Sequence, residues 1–175
     1  MGVFFGTDGI RGKVNSDLTF DLAYKCGNAL GASVSKPTIL MGQDTRVSGS
    51  LLTMAFAGGA MNAGAKIIDV GICPTACVAF LTREVGADFG VIISASHNPS
   101  EYNGIKIFDK NGLKLGDEKE NALERKFAHS VTVAPNNIGS YIQRYNLVSK
   151  YQKHLMSCCK QLSLPYIVLS LLIIV

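Results

Sequence analysis

The sequence has no tryptophan, only five prolines and, among its 13 acidic residues, none after Glu124. Charged residues make up 17% of the 175 residues and apolar residues 47%, which excludes the charge-rich, apolar-poor composition of disordered chains. The 18 glycines follow no regular period, so a collagen-like chain is also excluded. Length and composition predict one globular domain, or one domain and the start of another.

Six cations and no acidic residue lie in residues 125–175, although the net charge of the whole chain is only +4. Nucleic-acid-binding domains usually cluster cations with aromatic side chains or carry a recognisable module. Here the cations are spread thinly along a predicted helix, so we predict a solvated face and no nucleic-acid partner. Residues 162–175 are uncharged. A membrane-spanning helix needs about 20 apolar residues, so we expect no membrane partner either.

The five cysteines are odd in number and irregularly spaced, and no signal peptide precedes them. These features favour reduced thiols and a cytoplasmic protein. Cys73 and Cys77 have the spacing of half a metal site, but no second Cys or His pair accompanies them. We therefore predict buried, unpaired thiols.

Apolar runs and helical periodicity alternate along most of the chain. This alternation predicts the α/β class, as a layered α/β/α domain around a mixed, largely parallel sheet. The predicted strands are residues 37–41, 66–70, 88–94 and 104–108. The predicted helices are residues 18–34, a segment from Ser48 or Ser50 to Ala65, a segment from Pro74 to about Val85, and residues 117–128 and 139–160.

Two polar loops, residues 42–46 and 94–103, follow predicted strands. Ligands of open α/β sheets bind beyond the carboxyl ends of the strands, so we expect a site at these loops. The second loop offers a serine hydroxyl, an imidazole at His97 and an ammonium at Lys106, which together suit a phosphorylated or acylated nucleophile. On composition alone, a polar loop with a capping serine and a solvated lysine is the more common alternative.

Residues 5–12, FGTDGIRG, are rich in glycine and contain one cation, Arg11. Glycines let a backbone approach an anion closely, and a guanidinium binds phosphate with two hydrogen bonds. The segment is not a P-loop, because Gly6 and Gly12 enclose five residues instead of four and Val14 supplies no hydroxyl for a metal ion.

Three segments, in this order over about 100 residues, resemble the phosphohexomutase superfamily: FGTDGIRG at 5–12, GQDTR at 42–46 and ISASHNPSEYNGIKIF at 93–108. The position of the first segment close to Met1, and Ser94 in place of the threonine usual in phosphomannomutases, favour the phosphoglucosamine mutase branch. Phosphomannomutase or phosphoglucomutase specificity is the alternative. The resemblance implies that residues 1–160 form the first domain of the superfamily, and that 161–175 begin a second domain.

The resemblance also implies roles for individual residues. Ser96 would be the phosphoserine that exchanges its phosphoryl group with glucosamine 6-phosphate and glucosamine 1-phosphate through a 1,6-bisphosphate. His97 and Arg11 would surround it, and Lys106 would transfer a proton. Asp44 and Arg46 would support the centre. Asn98 and Asn103 would belong to the phosphate and substrate environment.

Members of the superfamily are well over twice as long and have four domains. In them Mg²⁺ is held by the phosphoserine, here Ser96, and by aspartates of a DGDxDR-type loop in the second domain, which this sequence does not contain. The sugar-binding and phosphate-binding loops of later domains are also absent from the sequence. The resemblance also implies a phosphosugar partner and glucosamine 1,6-bisphosphate as activator. The alternatives for this chain are an inactive remnant, or half of a split enzyme that is completed by the remaining domains in trans.

The second domain of the superfamily opens with a strand of the pattern IVxDxANGA. Ile167 to Leu169 fit this pattern, but Ser170 stands where an aspartate is expected, and the next five residues do not fit. This loss of match within one strand predicts a shifted reading frame or an early end of the coding sequence after Leu169.

Overall fold

The computed structural model describes residues 4–161. The expectations for residues 162–175, including the start of a second domain, lie outside the described residues, and the boundary at residue 160 stays a prediction. The strands are β1 (Phe5–Gly6), β2 (Gly9–Lys13), β3 (Thr38–Gln43), β4 (Lys66–Ile72), β5 (Phe89–Ile93), β6 (Tyr102–Asp109) and β7 (Ser140–Gln143). The helices are α1 (Phe20–Gly31), α2 (Gly49–Asn62), α3 (Thr75–Glu84), α4 (Asp117–Arg125) and α5 (Val148–Gln161).

The seven strands within residues 4–161 form one sheet in the order β1-β2-β6-β5-β3-β4-β7. The strands from β5 through β3 and β4 to β7 run parallel, whereas β1, β2, β6 and β5 pair antiparallel. The sheet is therefore mixed. Its parallel half carries the crossover helices, as the alternation in the sequence predicts.

Helices cover both faces of the sheet, so the predicted α/β/α layering is confirmed. On one face, α1, α2 and α4 bury a core that includes Leu30, Phe56 and Ile105. On the other face, α3 buries Val78 and Leu81 against the sheet, and α5 packs beside it with Tyr151. Within residues 4–161, no helix combines the length and the apolar character needed to cross a membrane.

Helices α1 and α2 pack at very close range because glycines face each other's backbone. A Cβ atom on Gly27 would overlap the carbonyl oxygen of Phe56, and one on Gly59 would overlap the carbonyl oxygen of Tyr24. Asn28, which is buried between these helices, donates to the carbonyl oxygen of Gly59 at 3.1 Å. The pair of helices thus depends on small residues at the contact.

The prediction of a single helix over residues 139–160 is wrong. Ser140–Gln143 is strand β7, a 3₁₀ turn follows at Tyr145–Leu147, and α5 begins only at Val148. Strand β4 would be the edge of the sheet without β7. Parallel pairing with β7 gives hydrogen-bond partners to the backbone N–H and C=O groups along that edge, which a helix over residues 140–143 would leave unpaired. Gly139 permits this pairing, since a Cβ atom there would overlap the carbonyl oxygen of Ala65.

Several predicted helix ends are also shifted. Thr19 caps α1 by accepting the Leu22 N–H, and Val34 lies beyond the helix and is half exposed. Ser48 precedes α2 but makes no side-chain capping bond, and Pro74 precedes α3 instead of opening it. Such ends depend on local backbone geometry, which periodicity does not resolve.

Three of the cysteines, Cys26, Cys73 and Cys77, are buried free thiols, as predicted. Burial raises the pKa of the Cys26 thiol well above its ordinary value, so this sulfur stays protonated and packs as an apolar group.

Candidate active site

Two loops meet at the carboxyl edge of the parallel strands. Strands β3 and β5 are parallel neighbours, with Gln43 opposite Ile93, so the loops that follow them leave the sheet side by side. The Asp44 N–H donates to the carbonyl oxygen of Ile93 at 3.0 Å and keeps the two loops together. The predicted loops 42–46 and 94–103 therefore form one site.

Arg46 binds the second loop through its backbone. Its two terminal nitrogens donate to four carbonyl oxygens over 2.7–3.0 Å, those of Ser96, Asn98, Pro99 and Tyr102. Its Nε donates to Asp44 Oδ2 at 3.1 Å, and only 12% of the Arg46 side chain is exposed. A guanidinium has five donors in one plane, and here they shape the loop. The predicted supporting pair of Asp44 and Arg46 is present in the structure.

Ser96 lies at the tip of this loop with an exposed side chain and a φ of 56°, in the left-handed region that serine rarely adopts. Two contacts hold this conformation: its N–H donates to Ser94 Oγ at 3.1 Å, and its carbonyl oxygen accepts from Arg46. Its hydroxyl lies 3.4 Å from Nδ1 of His97. The loop therefore presents a hydroxyl to solvent beside an imidazole.

Arg11 joins the loop from strand β2. Its Nη1 donates to Asn98 Oδ1 at 3.0 Å, which brings two of the predicted residues into contact. Lys106, on the neighbouring strand β6, forms an ion pair with Asp8. The same carboxylate contacts Arg11 at 3.4 Å, so Lys106 and Arg11 lie beside one another. Three cations, including Arg46, and the carboxylates of Asp8 and Asp44 thus lie around the Ser96 loop.

The glycines of residues 5–12 serve close packing, and the approach of this segment to an anion stays a prediction. The segment forms strands β1 and β2, and β2 pairs antiparallel with β6. Two of its glycines make room for neighbouring atoms: a Cβ atom on Gly9 would overlap the carbonyl oxygen of Ile105, and one on Gly12 would lie 2.6 Å from the Cβ of Asp17. Gly9 thus allows close packing against strand β6, and Gly12 allows close packing against the turn that follows β2, neither of which the sequence alone revealed.

Asn103 is fully buried at the start of β6 and has no exposed surface for a substrate. Its side chain donates to Ser48 Oγ at 2.9 Å and accepts from the N–H of Gly104 at 2.8 Å. It therefore ties the end of the Ser96 loop to the segment before α2. Asn98, in contrast, is partly exposed and contacts Arg11 directly.

Sequence reasoning missed two residues of this site, Asp8 and Ser94. The signal for Asp8 was an acidic residue in a glycine-rich segment, three positions before a cation. Ser94 served in the sequence only to favour the phosphoglucosamine mutase branch, but in the structure its hydroxyl oxygen accepts a hydrogen bond from the N–H of Ser96. Neither role follows from spacing, because both depend on how the loop turns.

The site has few side chains that could bind a metal ion. Within residues 4–161, no group of three or more His, Cys, Asp or Glu side chains lies close enough together to hold one. The nearby carboxylates of Asp8 and Asp44 are paired with cations. The described residues alone therefore do not fit a magnesium site.

Residues 2–133 match the family model of the phosphoglucomutase/phosphomannomutase α/β/α domain I. The chain belongs to this family. The match includes both loops of the site and strand β2, so the arrangement around Ser96 lies in the part of the chain that defines the family.

Curated proteins similar to this chain include phosphoglucosamine mutases. The protein of Clostridium botulinum is 50% identical over 151 residues, which are 82% of this chain and 34% of that protein. The protein of Clostridioides difficile is 53% identical over 128 residues, which are 71% of this chain and 29% of that protein. This chain thus spans about a third of the length of the curated relatives it matches.

A solved structure of the family has the same fold. The putative phosphomannomutase of Thermus thermophilus superposes with a TM-score of 0.75 at 29% identity, over 87% of this chain and 35% of that one. The mixed sheet with helices on both faces is therefore the architecture that family members use for this part of the protein.

Proposed function

We propose that this chain is the phosphoserine domain of a phosphoglucosamine mutase, in which Ser96 carries the phosphoryl group that interconverts glucosamine 6-phosphate and glucosamine 1-phosphate. The observation that supports this most directly is the exposed Ser96 hydroxyl beside His97, on a loop whose backbone, including the Ser96 carbonyl oxygen, Arg46 holds. Identity of about 50% to phosphoglucosamine mutases supports the choice of an amino sugar. The reaction would place the protein in the cytoplasmic synthesis of amino-sugar precursors.

Each residue of the site has a place in the first step, the phosphorylation of Ser96 by a sugar 1,6-bisphosphate. The bond between phosphorus and a sugar oxygen breaks, and the bond between phosphorus and Ser96 Oγ forms. The hydroxyl proton of Ser96 goes to His97, whose Nδ1 lies 3.4 Å away. The ammonium of Lys106 donates a proton to the departing sugar oxygen. In the second step the Ser96 phosphate gives its phosphoryl group to the free hydroxyl of a sugar monophosphate: the bond from phosphorus to Ser96 Oγ breaks, the bond to the sugar oxygen forms, Lys106 takes the hydroxyl proton and His97 returns a proton to Ser96 Oγ. The two monophosphates interconvert when the bisphosphate turns round and loses its other phosphoryl group to Ser96.

Positive charge around Ser96 stabilises the transferring phosphoryl group. Phosphoryl transfer depends mainly on positioning and on neutralising charge on the phosphate oxygens. Arg11, which contacts the loop at Asn98, is placed to bind these oxygens with its planar guanidinium. Mg²⁺, as the family implies, would be held by the Ser96 phosphate together with ligands from other domains. The sugar and metal loops of those domains, supplied in trans, are the partner we propose for complete turnover.

The test is to incubate the chain with glucosamine 1,6-bisphosphate and magnesium and to follow its intact mass. We expect the gain of one phosphoryl group, mapped to Ser96 by peptide analysis. Ser96→Ala should abolish the gain, His97→Ala should slow it, and Ser100→Ala, at an exposed position of the same loop, should leave it unchanged. No gain in the parent chain, or an equal gain in Ser96→Ala, would contradict the proposal.

Sugar specificity is tested in the same assay with the 1,6-bisphosphates of glucose and mannose. The glucosamine compound should phosphorylate Ser96 fastest if the branch assignment is right. Faster reaction with the mannose compound would favour phosphomannomutase specificity, the activity named for the similar Thermus thermophilus protein.

A further inference from the structure

Asp8 lies between the two cations of strands β2 and β6. One carboxylate oxygen, Oδ2, contacts Nη2 of Arg11 at 3.4 Å and also forms the ion pair with Nζ of Lys106. Arg11 in turn donates to Asn98 in the Ser96 loop. A continuous series of polar contacts therefore runs from Lys106 through Asp8 and Arg11 to the loop that carries the nucleophile.

The hairpin between β1 and β2 determines where Asp8 lies. Gly6 pairs with Gly9, so Thr7 and Asp8 form the turn between them. Gly9 has a φ of +88°, and its lack of a Cβ atom lets the turn lie directly against the backbone of β6 at Ile105. The Asp8 side chain is thereby brought within reach of Lys106, the next residue of β6.

The register of β2 and β6 places the two cations on the same side of the sheet. Arg11 is opposite Gly104, and Lys106 lies two residues further along the same strand. Residues two apart on a strand face the same side, so Arg11 and Lys106 are diagonal neighbours. Without a carboxylate between them, the two positive charges would repel each other, and the flexible Lys106 side chain would have no ionic partner among the described residues.

The geometry points to Asp8 as the positioning residue that holds the Lys106 ammonium beside Arg11, and as the counter-charge that an incoming phosphate must compete with. This inference rests on the proposed function and adds to it a residue to which no role has been given. Lys106 is 16% exposed and Asp8 is 52% exposed, so the ammonium is largely enclosed while its carboxylate partner faces solvent, where the sugar phosphate arrives.

The experiment combines two measurements on Asp8→Asn. In the first, the rate of Ser96 phosphorylation by glucosamine 1,6-bisphosphate is followed across pH, and we expect a fall of about tenfold or more, because the proton donor is no longer held in place. In the second, inorganic phosphate is titrated into the unphosphorylated chain by calorimetry, and we expect binding about threefold tighter, because a competing carboxylate is gone. A residue that only stabilised the fold would weaken both properties.

Two further variants make the result specific. Asp8→Glu retains the charge and should restore most of the rate. Glu84→Gln removes one negative charge from an exposed position at the end of α3. This position lies shortly before the start of β5, at the end of that strand opposite to the Ser96 loop, and the change should affect neither property.

The two proposals fail separately. A parent chain that gains no phosphoryl group contradicts the proposed function of this chain. The phosphate titration still tests the role of Asp8 in that case, because it does not depend on phosphoryl transfer. An Asp8→Asn variant whose phosphate affinity does not rise above that of the parent, undetectable binding in both included, overturns the inference.

Discussion

At the scale of single residues, Arg46 has the largest effect on the geometry of the site. Its guanidinium accounts for four hydrogen bonds to one loop, and all four acceptors are backbone carbonyl oxygens. Each bond gives a carbonyl oxygen of the loop a charged hydrogen-bond donor, and together the four bonds determine the shape of the loop. Ser96 keeps its left-handed conformation because its own carbonyl oxygen is one of the acceptors.

We expect Arg46→Lys to slow Ser96 phosphorylation by about a hundredfold, because an ammonium cannot donate to four carbonyl groups in one plane and the nucleophile moves out of line. Amide hydrogen exchange gives a readout that does not depend on catalysis. The Asn98 and Tyr102 amides, which donate within the loop, should exchange faster in the variant.

The matched control is Arg83→Lys, at an exposed position near the end of α3. It should leave both the rate and the exchange unchanged. Parental phosphorylation and exchange in Arg46→Lys would show that the loop holds its shape without the guanidinium.

At the scale of secondary structure, the contact between α1 and α2 determines how the layer on that face of the sheet packs. The two helices approach so closely that backbone meets backbone at Gly27 and Gly59. Helix α2 follows the loop that carries Arg46, and Ser48 at its start accepts the hydrogen bond of Asn103. The position of α2 is therefore linked to both loops of the site.

Two adjacent glycines of α2 should respond in opposite ways to alanine. A Cβ atom on Gly59 would overlap the Tyr24 carbonyl oxygen and lie 2.9 Å from the Asn28 nitrogen, so Gly59→Ala should lower the free energy of unfolding by about 2–3 kcal/mol. Gly58 has nothing within 4 Å of such an atom. Gly58→Ala should therefore raise the free energy of unfolding by about 0.5–1 kcal/mol through helix propensity. Urea denaturation of the three proteins checks both values, and equal effects would contradict the packing argument.

At the scale of the whole molecule, the most unusual charge in the core is Glu120 on α4. Its side chain is 3% exposed, Oε2 accepts from Nζ of Lys114 at 3.0 Å, and among the described residues Oε1 has no hydrogen-bond partner. Burial raises the pKa of Glu120 above its ordinary 4.5, although Lys114 acts in the opposite direction; Asp117 and Asp8 add to the rise. The folded protein therefore binds this proton more tightly than the unfolded chain does.

The sign of the pH dependence follows from that raised pKa. The contribution of Glu120 to stability is fully present below pH 4.5 and is lost as the pH rises through the higher pKa of the folded state. Glu120→Gln removes this titration. We expect the stability of the variant relative to the parent to increase from acidic to neutral pH.

Urea denaturation at a series of pH values measures this difference. The control is Glu118→Gln, which changes an exposed acid on the same helix and should give a difference that does not vary with pH. A Glu120→Gln difference that stays constant, or that falls as the pH rises, would contradict the argument.

Much of the fold was predictable from the sequence, because Thr38–Gln43 is a short apolar run of strand length and α1 has its buried residues at helical spacing. Strand β7 was not, since its four residues are mostly exposed and have no buried stripe. The antiparallel hairpin of β1 and β2 was also missed, because its glycines resemble a loop until the neighbouring strand β6 is in place.

For the site, the sequence by itself determined which groups are present and roughly where: a serine and an imidazole in a loop after β5, and three cations at Arg11, Arg46 and Lys106. Motifs and strand order carry that much information. Only the tertiary structure decided that Arg46 binds the carbonyl groups of a loop about 50 residues away, and that Asp8 lies between Arg11 and Lys106. The physical reason is that carbonyl oxygens have the same chemistry at every position, and that an ion pair depends on strand register, so neither contact is visible in the order of the side chains.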